Sequence, residues 1–175
     1  MTGFWLVVVT MGLGFAFVTG ETFDDPGGWA AVGYVLTWAV PLAALLLVVT
    51  RWPAWAARWC WVAVLVPIGF AAWGLVDIDA YRSFQDDVGP VGAVLVMVIG
   101  TALAFLGRHA EHTLTAGVAM LAATLVPPAL LALSSGEMMR SAMIVAVPVL
   151  VAGLLYLFAG LQAHRGHHVG RHAVA

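Results

Sequence analysis

Lysine and asparagine are missing from this sequence of 175 residues, cysteine occurs once, and charged side chains make up 9% of it. Each shortage removes a class of protein. A soluble domain carries about 25% charged residues. A chain that is 63% hydrophobic, with a mean hydropathy of +1.01, is therefore read as an integral membrane protein. Without asparagine there is no N-glycosylation acceptor. Cys60 can form no internal disulfide and has no second thiol for a metal site, so in its apolar surroundings it reads as a small core residue. The seven basic residues are all arginine, a composition that suits a GC-rich bacterial genome, and they are too few for a nucleic-acid surface. No Gly-x-Ser-x-Gly, His-Glu-x-x-His, P-loop or Cys-x-x-Cys run occurs. No catalytic role and no cofactor is expected.

What the chain has is apolar length. Six segments, 4–20, 29–49, 59–76, 89–107, 114–133 and 141–161, contain no charged residue and lack the alternation of a barrel strand. Each is near the ~20 residues a helix needs to cross the hydrocarbon layer, and helices satisfy their own backbone there. The expected fold is an all-α bundle of six transmembrane helices, residues 1–163, joined by short loops and followed by a His/Arg-rich tail, 164–175. Met1–Gly20 has no basic n-region and no clear small-x-small cleavage site, so it reads as a retained helix.

The stretch Arg51–Trp61 orients the bundle. It holds two arginines and four tryptophans, residues that favour the cytoplasmic loops and the headgroup level respectively, so it reads as a tight turn at the inner surface. On its side fall Arg51, Arg58, Arg108, Arg165 and Arg171 with a single acid, Glu111. The opposite loops hold Glu21, Asp24, Asp25, Asp77, Asp79, Asp86, Asp87 and Glu137 with Arg82 and Arg140. The positive-inside rule then predicts a multi-pass protein of the bacterial inner membrane with both termini cytoplasmic. Small residues spaced by four, Gly12/Ala16/Gly20, Gly100/Ala104 and Ala119/Ala123, mark faces where helices can approach closely.

Three constellations could carry function. His109 and His112, with His164, His167 and His168 in the tail, have spacings that can gather ligands for a metal or respond to pH; a solvated polar tail explains them as well. The outer acids could surround a hard cation, but no EF-hand pattern is present, and helix capping accounts for most of them. Prolines at 41, 67, 127, 128 and 148 free carbonyls inside the helices, with Thr37, Thr101 and Thr124 near mid-membrane as a possible polar site; ordinary kinking is the alternative.

The Asp-Pro-Gly-Gly-Trp run ending at Trp29 and the Trp/Arg-rich turn after the second segment resemble small bacterial multi-pass membrane proteins of no assigned activity, most clearly over residues 20–76. The resemblance implies a helical membrane bundle and transfers no site residue. The reading is an accessory or scaffold subunit whose partners are the bilayer and a membrane protein or a second copy of itself. A small transporter or channel subunit for a neutral or weakly charged solute is the alternative, and a metal- or pH-responsive sensor the third.

Overall fold

The computed structural model describes residues 2–24, 28–89, 91–134 and 146–163. In order they form α1 (Thr2–Asp24), α2 (Gly28–Arg51), α3 (Pro53–Val76), α4 (Ile78–Val88), α5 (Val91–Leu106), a 3-10 turn (Ala110–His112), α6 (Thr113–Ser134) and α7 (Ala146–Ala163). The fold among these residues is all-helical. Four helices are long and apolar enough to cross a membrane: α2, α3, α6 with its preceding turn, and α7. The number is five if α4 and α5 are one broken span. The apolar helical segment Thr2–Phe17 within α1 is shorter.

The bundle is built around α5. This helix carries no polar stripe, and a helix that is apolar on every side belongs in an interior. Ten of its sixteen residues are buried, including the unbroken run from Val96 to Ala104. Helices α1, α2, α3 and α6 pack on it. α7 does so too, since a Cβ at Gly100 would lie 2.8 Å from the Val149 side chain. Around α5 the sheath is continuous: α1 touches α2, α2 touches α3, and α3 lies along α6 in the most extensive contact among α1 to α6. α6 crosses α7, and α7 returns to α1 where Gly3 faces Leu155 and the Ala152 carbonyl.

Lipid tails are as apolar as leucine, so helices in a bilayer associate by close packing rather than by escape from water. Glycine is where that packing is tightest. A Cβ at Gly117 on α6 would meet the backbone nitrogen of Leu157 at 2.7 Å and the Gly153 carbonyl at 3.0 Å. At Gly160 it would meet the Leu114 backbone at 3.0 Å. Of the three small-residue rows expected from the sequence, Gly100/Ala104 and Ala119/Ala123 are buried in this packing. Gly12, Ala16 and Gly20 are not: all three are exposed, and nothing lies within 4 Å of a Cβ at Gly12 or Gly20. Spacing puts small residues on one face of a helix; the rotation of that helix decides what the face meets.

Two local expectations are corrected. The turn expected over Arg51–Trp61 is confined to Trp52, which alone breaks the helical run (φ −136°, ψ 64°), and α3 starts at Pro53. Proline at the first helical position supplies the right φ and lacks an amide that would go unpaired anyway. The tryptophans therefore stand on the first turns of α3. Secondly, the loop expected between the third and fourth segments is mostly the helix α4. Its N-cap is Asp77, whose carboxylate accepts from the Ala80 amide at 3.0 Å. Tyr81 is buried, and its ring with Phe70, Trp73 and Phe84 forms a cluster with centroid separations of 4.9 to 5.9 Å. The opposite face exposes Asp79, Arg82, Asp86 and Asp87. Gly89 (φ 92°) ends α4 in a conformation that side chains disfavour, and α5 leaves at 76° to it. Residues 141–145 of the sixth expected segment lie outside the described residues.

Candidate functional site

The helix ends fall into two charged caps. Arg51, Arg58 and Arg108 lie at one end with Glu111; Asp77, Asp79, Asp86 and Asp87 lie at the other with Arg82. At the arginine end the Arg108 guanidinium lies 4.7 Å from the centre of the Phe4 ring, which packs edge-on against Phe105 at 5.0 Å. Beneath it the Tyr156 hydroxyl donates to the Ala104 carbonyl at 3.0 Å. That carbonyl belongs to the last turn of α5, and the Arg108 amide donates to Phe105 instead. Tyr156 of α7 thus satisfies an otherwise orphaned helix-end acceptor in the core.

The three threonines expected to line a midplane site divide. Thr101 and Thr124 are buried, at 8% and 1% exposure, whereas Thr37 is on the exposed side of α2. Each hydroxyl donates to its own helix: Thr37 to the Tyr34 carbonyl at 2.6 Å, Thr101 to Met97 at 2.7 Å and Thr124 to Met120 at 2.8 Å. This back-bonding is the usual way a hydroxyl is satisfied where no water competes. The donors are spent within their helices. Valine at Thr101 and Thr124 is therefore expected to leave the protein folded, each change costing on the order of 0.6 kcal/mol or less. The measurement is the apparent melting temperature in detergent, and a collapse of either variant would mean that its hydroxyl holds a second helix.

His109 precedes the 3-10 turn and His112 ends it, with ring centres 6.5 Å apart. His112 Nε2 lies 3.5 Å from a Glu111 carboxylate oxygen without hydrogen-bond geometry. Among the described residues no three His, Cys, Asp or Glu side chains come together as a metal site. His164, His167 and His168 lie outside the described residues.

A concavity is present that was not anticipated. Between the second half of α2 and the first half of α3, with α5 as its floor, lies a half-open cavity of about 70 Å³. Leu45 and Val49 form one wall, Trp55, Trp59 and Cys60 the other, and Leu103 is among the floor residues. The Cys60 thiol donates to the Ala57 carbonyl at 3.2 Å, so it too is satisfied within its helix. No charged residue lines this cavity. What it offers is dispersion contact with something apolar.

Comparison with protein-family models, curated proteins and solved structures found no match. The functional reading therefore rests on the packing and hydrogen bonding of the bundle itself. Sequence reasoning missed both Tyr156 and the groove. One hint was available for the first, since Gly153 and Gly160 are seven apart and mark the face of α7 on which a tyrosine three residues from Gly153 can also point inward. The groove had none, because residues on three separate helices make it.

Proposed function

We propose that this chain is a six-span protein of the bacterial inner membrane, with its arginine end in the cytoplasm, that serves as an accessory or scaffold subunit. One observation supports it above the rest: the buried hydroxyls of Thr101 and Thr124 donate within their own helices, so the core is suited to packing rather than to passing a polar solute. The six-span count adds α1 and α5 to the four long apolar helices. α5 rises only about 24 Å along its axis, yet it is enclosed by its neighbours and need not meet the lipid along its length. α1, at 23 residues, has the length to span. Its outer face, with Trp5, Val9, Leu13 and Phe17 exposed beside Gly12 and Ala16, is the surface open to a partner helix.

Two measurements test this. In a Cys60→Ala background, a cysteine at Asp86 should label in intact cells with an impermeant thiol reagent, and one at Ala110 only after permeabilisation. Labelling of Ala110→Cys in intact cells would reverse the orientation. Liposomes carrying the purified protein should take up small neutral solutes no faster than empty ones. Saturable uptake that disappears in the Thr101→Val/Thr124→Val variant would replace the scaffold by a transporter.

A further inference from the structure

We propose that the groove between α2 and α3 is a binding site for one anionic phospholipid of the leaflet at the arginine end, with an acyl chain in the groove and the phosphate among the arginines. The inference rests on the membrane-spanning reading above.

Depth comes first. Leu45 and Val49 precede Arg51 by six and two residues, which places them about 9 and 3 Å below it at 1.5 Å per helical residue. The groove therefore begins where headgroups give way to chains. Trp55 and Trp59 stand on its wall with rings 5.8 Å apart, each 53% exposed. Tryptophan at this level takes an apolar neighbour on its ring and a polar one at its edge.

Size selects the occupant. A helix from a second copy or another protein is about 10 Å across and cannot enter a cavity of about 70 Å³. A polar solute finds little to bond there, because no charged side chain lines the groove and the Cys60 thiol is already bonded to Ala57. A hydrocarbon chain entering sideways matches the lining, and it restores the dispersion contacts that an unfilled apolar wall forfeits.

Charge selects the headgroup. Arg51, Arg58 and Arg108 are exposed at this end. Its single described carboxylate, Glu111, lies 3.5 Å from His112, and among the described residues no arginine has an ion-pair partner. A phosphate is the acceptor that guanidinium forks match. A net negative lipid is favoured over a zwitterionic one, whose ammonium would sit among the same arginines.

Cys60 lines the groove and is the chain's lone cysteine, so it reports on occupancy. Full-length protein, stripped of lipid in detergent, is treated with N-ethylmaleimide, and the rate of Cys60 modification is followed by mass spectrometry. Dioleoyl phosphatidylglycerol should slow modification at least 10-fold, dioleoyl phosphatidylcholine should need about 10-fold higher concentration for equal protection, and glycerol phosphate should not protect. Native mass spectra should show one retained phosphatidylglycerol. That lipid should be lost in Ala63→Phe, which fills the groove, while Arg51→Gln/Arg58→Gln should retain the two lipids equally. Absence of protection in the wild-type protein would overturn the site whether or not Ala63→Phe folds. Equal protection by both lipids would overturn the anionic assignment, and protection by glycerol phosphate would overturn the acyl chain. Labelling of cysteines at Asp86 and Ala110 reports membrane insertion separately, so failure of that reading is told apart from failure of this one.

Discussion

Leucine at Gly117 is expected to separate α6 from α7 and leave the protein unable to run as a single species in detergent. The clash is with backbone. The first added carbon would stand 2.7 Å from the Leu157 nitrogen and 3.0 Å from the Gly153 carbonyl oxygen, and neither atom can turn aside as a side-chain tip can. Alanine already forces the helices apart, at about 1–3 kcal/mol for overpacking. Leucine adds three more carbons in the same direction. The contrast is Gly12→Leu, where nothing lies within 4 Å of the added Cβ and no loss is expected. Size-exclusion profiles after heating, read for Gly117→Ala, Gly117→Leu and Gly12→Leu, give the comparison. Equal stability of the two leucine variants would mean that the α6/α7 crossing is not where the bundle is held.

The second large effect is expected at Tyr156. Tyr156→Phe removes the donor to the Ala104 carbonyl and strands a buried acceptor, a loss of about 1–3 kcal/mol. Tyr156→Ala removes the ring as well. That ring fills the space over Gly107, where a Cβ would lie 2.6 Å from it. The cavity left by such truncations costs about 3–5 kcal/mol for an aromatic side chain. Thermal or denaturant unfolding of the three proteins should rank wild type above phenylalanine above alanine. If phenylalanine matches wild type, the Ala104 carbonyl has another donor and the cap at the end of α5 is not what Tyr156 supplies.

Much of the architecture was legible because it depends on local rules. Uncharged runs near the length of a bilayer announce helices wherever they occur. α4 was hidden by its acids. Ile78, Tyr81, Phe84 and Val88 recur at helical spacing, but Asp77, Asp79, Asp86 and Asp87 around them look like a solvated loop. The Gly12 and Gly100 rows read alike in sequence and end on opposite sides of the packing, since glycine does not declare its partner. Of the candidate site, the arginines and tryptophans were visible as an interface. The cavity beside them was not, because Ala56, Ala63 and Ala102 make room for it from helices far apart in the chain.

The closed sheath around α5 has a consequence for how the molecule is made. Helices leave the ribosome in order, and α5 emerges after three of its wall helices and before the other two. Until α6 and α7 arrive, the buried row from Val96 to Ala104 is open on the side they will cover, and the carbonyl of Ala104 awaits Tyr156. The final contact, α7 with the first turn of α1 at Gly3, joins the newest part of the chain to the oldest. Any chain stalled before that point presents an uncapped helix end in an open core, a feature that separates unfinished copies from finished ones.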